Sequence, residues 1–153
     1  ALASARRGDM LVAATDGFAA TAVTGDLLLG MARNRGIAGL VTDGLARDLA
    51  GILDVGLPVF CAGLTPTSPA RNGPGTVGLA VVLGGVRIDA GDILVADNDG
   101  VVVVPRGEAE AVIERLSGVR AAEAALEAEV KAGLGVPGFI LSLLAGDRVR
   151  RIP

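Results

Sequence analysis

Histidine, tryptophan and tyrosine are absent from this 153-residue chain, and cysteine occurs once, at Cys61. The lack of histidine excludes serine–histidine triads, histidine general bases and HExxH metal sites. A single cysteine excludes an internal disulfide and any cysteine-based zinc cluster. Only three aromatics, all Phe, are present, so the core has to be built from Val, Leu, Ile and Ala. No apolar run reaches the ~20 residues that a membrane-spanning helix needs. Nor do residues 1–8 have the form of a secretory leader, because no long apolar segment follows their charged start. A cytoplasmic setting is therefore the expectation, with no membrane partner.

What is present is a chain with 51% hydrophobic and 20% charged residues, enough for one sizeable core and hence one domain. The net charge of −3, without interleaved basic and aromatic residues, argues against a nucleic-acid surface. Arg148, Arg150 and Arg151 read as a solvated basic tail. Any catalysis has to use carboxylates, arginine, backbone amides, water or a bound metal.

The pattern predicts strands over 9–14, 37–42 and 58–61, with helices over 26–35 and 48–55, the second ended by Gly56. A breaker-rich loop follows over 63–78. Close-spaced strands are predicted over 79–83, 86–88, 92–96 and 101–104, with turns at Gly84-Gly85 and Asp97-Asn98-Asp99-Gly100. Helix-linked strands followed by hairpin-linked strands predict an α/β fold with a mixed sheet. From Gly107 a helix runs to Lys131, with a break expected near Ser117-Gly118, and a short helix spans 137–144.

Gly25-Asp26-Leu27-Leu28 opens the first helix, and Arg47-Asp48 stands at the entry to the second. Twenty residues separate Asp26 from Arg47. Unpaired backbone N–H groups at a helix start suit a carboxylate or phosphate. An arginine fork takes a second anionic edge, and a neighbouring aspartate offers oxygen to a hard cation. The bland alternatives are a helix-start carboxylate at Asp26 and a surface ion pair at Arg47 and Asp48.

These residues, with Gly36-Ile37-Ala38-Gly39-Leu40-Val41-Thr42-Asp43-Gly44, Pro58-Val59-Phe60, Gly84-Gly85-Val86, Gly91-Asp92 and the run from Ala96 to Pro105, resemble the RraA-like family. That family includes divalent-metal-dependent 4-hydroxy-4-methyl-2-oxoglutarate (HMG) and 4-carboxy-4-hydroxy-2-oxoadipate aldolases. The resemblance implies a three-layer swivelling β/β/α domain with C-terminal helices, assembled as a trimer or hexamer and here without the family's leading segment. It also implies a pyruvyl acid substrate whose carboxylate is held by the backbone of Gly25, Asp26, Leu27 and Leu28. Arg47 would contact the substrate and Asp26 would serve proton transfer. Asp48 would ligate Mg²⁺ or Mn²⁺, with Glu123 of a neighbouring subunit supporting the metal through water. Many of these aldolases carry an acid three residues after the Asp of the Arg-Asp pair, where this chain has Gly51. The other function compatible with the resemblance is a non-catalytic regulator of a protein such as an RNA-degrading endonuclease.

Overall fold

A computed structural model describes residues 1–70 and 72–150. They form two compact units, one of residues 1–109 and one from residue 110 onward, and each is described by itself. Arg151 of the expected basic tail lies outside the described residues.

In the first unit, β1 (Met10–Ala13), β3 (Gly39–Thr42) and β5 (Val59–Phe60) pair in parallel in the order β1-β3-β5. Every residue of β3 is buried, as expected of a central parallel strand covered on both faces. Alternation along the strands sorts their side chains. Leu11 and Leu40 point into a cluster with Leu29 and Ala32 of α1 (Asp26–Asn34) and Ile52 of α2 (Leu49–Val55). Met10, Val12 and Val41 instead join Leu83 and Ile88 on the other face. That face meets the hairpin of β7 (Val81–Leu83) and β8 (Val86–Ile88), together with Leu94, Val101 and Val103 of the hairpin β9 (Ile93–Asp97) and β10 (Gly100–Val104). Gly84 and Gly85 both have positive φ, 55° and 82°, which a tight hairpin turn requires.

A second parallel sheet, β2 (Ala22–Thr24), β4 (Leu45–Ala46) and β6 (Gly63–Leu64), was not visible in the sequence pattern. The chain visits the two sheets alternately, as β1-β2-α1, β3-β4-α2 and β5-β6. Parallel and antiparallel pairing are thus both present, as the α/β reading expects, but they occupy separate sheets. Cys61 is half-buried, and its thiol donates to the Gly63 carbonyl.

Asp43 ties the ends of β1 and β3 together. Its carboxylate accepts the Thr15 N–H at 2.7 Å, the Thr15 hydroxyl at 2.9 Å and the Gly17 N–H at 3.0 Å. Burial works to raise its pKa, but these donors outweigh that effect and hold the carboxyl below its ordinary value.

A 3₁₀ turn at Arg106–Glu108 ends the first unit, and the second contains α3 (Ala109–Lys131) from Glu110 onward and α4 (Gly138–Ala145). The break expected near Ser117-Gly118 does not occur. One glycine costs a helix only about 1 kcal/mol, and nothing packs against Gly118 to demand a bend. No residue of α3 or α4 is buried. Among the described residues, no helix is long and apolar enough to cross a membrane.

The Asp43 clamp has a pH signature. Because its folded pKa is depressed, its contribution is fully present above the unfolded value near 3.8 and is lost as pH falls through the lower folded value. Asp43→Asn should therefore lower the urea midpoint near neutral pH. The gap to the wild type should close in acid, from about pH 4 downward. A gap that stays constant with pH would contradict the assignment.

Candidate functional site at the α1 and α2 junctions

The second sheet explains why residues far apart in sequence meet. In the β2–β4 pair, Thr24 lies opposite Ala46. Those partners are 22 residues apart, the same offset that separates Asp26 from Asp48. The ladder continues one bond further, the Arg47 N–H donating to the Thr24 carbonyl at 3.0 Å. Each strand then delivers its chain into a helix, so the β2–α1 and β4–α2 junctions stand side by side.

At these junctions each glycine seats the other junction's aspartate. A Cβ placed on Gly25 would lie 2.5 Å from Asp48 Oδ2 and 3.2 Å from Arg47 Cγ. One placed on Gly51 would lie 2.5 Å from Asp26 Oδ2 and 2.7 Å from Asp26 Cβ. Gly25 has φ −152°, an extended conformation open to any residue, so its constraint is space rather than backbone freedom. Gly51, inside α2, is under the same constraint. The space that a side chain at position 51 would need is therefore occupied by Asp26.

Arg47 Nε lies 3.3 Å from Asp48 Oδ2, and its Nη1 donates to Ser68 Oγ at 2.7 Å. Ser68, from the breaker-rich loop, gave no sign in the sequence of lying here. Asp48 sits in the left-handed region at φ 64°, an uncommon conformation for a residue other than glycine and one that clusters at functional sites. As a result α2 begins at Leu49, one residue later than the pattern predicts. Asp26 Oδ1 accepts the Leu27 N–H at 2.6 Å, so that amide of the first turn of α1 is already bonded, while Gly25 at the N-cap offers no side chain.

A cavity of about 550 Å³ opens at this place, lined by Thr24, Gly25, Asp26, Leu27, Leu28 and Arg47 among others. Thr24 in its wall is buried, and its hydroxyl has no hydrogen-bond partner among the described residues. Leu27 and Leu28 are exposed. The structure thus brings together Gly25, Asp26, Leu27, Leu28, Arg47 and Asp48. Glu123 is an exposed residue of α3 in the second unit.

The donor set fits a hard cation. Asp48 and Asp26 offer only carboxylate oxygen, with no imidazole or thiolate, which suits Mg²⁺ or Mn²⁺ over softer metals. Among the described residues no three acidic, histidine or cysteine side chains cluster, so an ion here would complete its shell with water, ligand oxygen or a group from another chain. Mg²⁺ ordinarily keeps several waters.

The two glycine seats predict a stability effect of unusual sign. Alanine ordinarily improves on glycine within a helix by about 1 kcal/mol. Gly51→Ala, and likewise Gly25→Ala, should instead destabilise the protein by about 1–3 kcal/mol in urea denaturation, because the aspartates must be displaced. A stabilised Gly51→Ala protein would show that α1 and α2 do not approach in this way.

Comparison with known proteins identifies the family. A family model for RraA-like proteins, described as Aldolase/RraA, matches residues 1–103. A Halalkalibacterium halodurans protein described as "Putative 4-hydroxy-4-methyl-2-oxoglutarate aldolase" is 38% identical over 127 residues, covering 83% of this chain and 60% of that protein. The chain therefore spans about 60% of the length of this relative. An uncharacterized protein from Pseudomonas syringae pv. tomato superposes with a TM-score of 0.79 at 30% identity, covering 86% of this chain and 66% of the other. Streptomyces coelicolor RraAS2, described as an unusual member of the RNase ES inhibitor RraA protein family, superposes with a TM-score of 0.78 at 33% identity, over 84% of this chain and 66% of its own. The matched family region contains both junctions and the whole Asp26–Asp48 segment, and on that match the chain belongs to the RraA-like family.

Proposed function

We propose that the protein is a divalent-cation-dependent aldolase that cleaves HMG-type acids to pyruvate, with oxaloacetate decarboxylation as a second activity of the same site. The observation that carries this reading is that Asp26 and Arg47 line one cavity at the start of α1, with Asp48 paired to Arg47 beside it. The remaining N–H groups of that turn, apart from the Leu27 N–H that Asp26 accepts, would bind the pyruvyl carboxylate at the positive end of the helix dipole. Arg47, braced by Asp48 and Ser68, would present its remaining donors to the substrate's carboxylate or keto oxygen.

In cleavage, the substrate's C4 hydroxyl gives up its proton and becomes the keto oxygen of one pyruvate. The C3–C4 electron pair passes to C3 as the enolate of the second pyruvate, which is then protonated. The Asp26 carboxylate is the group in the cavity that would move that proton. Asp48 would hold Mg²⁺ or Mn²⁺, which when bound supplies a Lewis acid for the negative charge developing on the enolate oxygen. Decarboxylation of oxaloacetate needs the same stabilisation with carbon dioxide as the leaving group.

We place Glu123 of a neighbouring chain beside this site, in a homotrimer or hexamer, as support for the cation through water. Favouring this is the exposure of Ile113, Leu116, Val119, Leu126 and Val130 on α3, a helix with no buried residue. The second reading, a non-catalytic regulator of an RNA-degrading endonuclease, draws on the structural likeness to RraAS2. It predicts no pyruvate release from either acid.

Asp48→Ala should abolish cation-dependent pyruvate release while circular dichroism and thermal midpoint stay near those of the wild type. Arg47→Lys keeps the charge but loses the planar fork, and should cost about 2–4 kcal/mol in kcat/KM. Near-normal kinetics in either variant would remove the proposed site.

Complementation tests the shared site. Asp48→Ala and Glu123→Ala chains, each inactive alone, should regain part of the activity when refolded together, because some interfaces then hold both intact residues. No recovery in mixed oligomers would return Glu123 to a solvated helix face.

A further inference from the structure

We propose that the Thr24 hydroxyl is a binding group for the carboxylate of the site's ligand, donating to one of its oxygens at the start of α1. Two threonines are buried among the described residues, Thr24 and Thr42, each 5% exposed. The Thr42 hydroxyl accepts the Gly44 N–H at 3.0 Å. The Thr24 hydroxyl has no hydrogen-bond partner among the described residues. A buried hydroxyl without a partner costs about 1–3 kcal/mol, and valine would fill the same space without that cost. A partner that arrives with the ligand offsets it.

The place of Thr24 in the fold says which ligand group it meets. It is the last residue of β2, directly before the Gly25 N-cap of α1 and two residues before Asp26. Ala22 and Thr24 are buried and Val23 between them is half-buried, so strand alternation sets the Thr24 side chain on the covered face of β2. Its backbone is committed to the sheet, the carbonyl accepting the Arg47 N–H at 3.0 Å, and branching at Cβ restricts χ1. The hydroxyl is therefore held in place before any ligand binds. Thr24 also lines the 550 Å³ cavity together with Gly25, Asp26, Leu27, Leu28 and Arg47.

The donors gathered there select a carboxylate. The first-turn N–H groups and the Arg47 guanidinium only donate, and a carboxylate has about four lone-pair sites to receive such donors. A hydroxyl donating to a carboxylate makes a charge-assisted bond, stronger than one between neutral groups. That this carboxylate belongs to a pyruvyl acid rests on the proposed function; the unpartnered hydroxyl does not. The carboxylate is not the reacting centre, so Thr24 holds ground state and transition state alike and acts in binding.

Two substitutions separate this role from a structural one. Thr24→Val removes the hydroxyl and keeps the shape, whereas Thr24→Ser keeps the hydroxyl and removes a buried methyl. Without ligand, Thr24→Val should have a urea midpoint equal to or above that of the wild type, and Thr24→Ser a lower one. Pyruvate binding in Mg²⁺ buffer, followed by the NMR signal of its methyl group, should weaken about tenfold or more in Thr24→Val and stay within about threefold of the wild type in Thr24→Ser. In turnover, the loss in Thr24→Val should fall on KM with kcat largely kept. A lowered urea midpoint in Thr24→Val would show that the hydroxyl has a partner within the chain, and unchanged pyruvate binding in that variant would show that it serves no ligand. Either result would overturn the proposal, as would a wild type that binds no pyruvate. A wild type that binds pyruvate with this dependence on Thr24 yet releases none from either acid would refute the aldolase reading alone. Turnover by the wild type, with pyruvate binding indifferent to Thr24, would refute this inference alone.

Discussion

Parallel hydrogen bonding between β2 and β4 sets Thr24 opposite Ala46, and the positions of all the site residues follow from that pairing. Two residues past each partner stands an aspartate, Asp26 on one path and Asp48 on the other. The offset between them is that of the strand pairing itself. Glycine at 25 and at 51 then lets the two junctions close until each carboxylate rests against the other's backbone. A one-residue slip of β2 against β4 would separate Asp26 from the Arg47–Asp48 pair.

The same arrangement shows why some of the site was legible in the sequence and some was not. Gly25 to Leu28 and Arg47-Asp48 could be read because their spacing reports a repeating ββα path whose longer elements, β1, α1 and β3, carry clear apolar patterns. The strands that pair the junctions could not. β4 and β6 have two residues each and β2 has three, too few for alternation to show. Gly51 looked like a missing acid because its reason is tertiary: the space belongs to Asp26. Ser68 reaches Arg47 from a loop whose sequence specifies turns and not a destination. In the helical segment the glycine at 118 suggested a break, yet the cost of one glycine is small beside the continuous backbone hydrogen bonding of 23 residues.

A chain without histidine has few ways to move protons or polarise a carbonyl near neutral pH. What it has at this site is carboxylate oxygen, one guanidinium and the amides of a helix start, a set suited to stabilising an enolate with the help of a hard cation.

The central claim is that Asp26, Arg47 and Asp48 form a cation-dependent site for pyruvyl acids, and it is tested most directly by turnover of the wild-type protein. Pyruvate release from 4-hydroxy-4-methyl-2-oxoglutarate and from oxaloacetate would be followed after exhaustive chelation and again after addition of Mg²⁺ or Mn²⁺. The account predicts no release above the buffer rate in chelator and full release once the cation is restored. Release that persists in excess chelator, or none from either acid with the cation present, would contradict it.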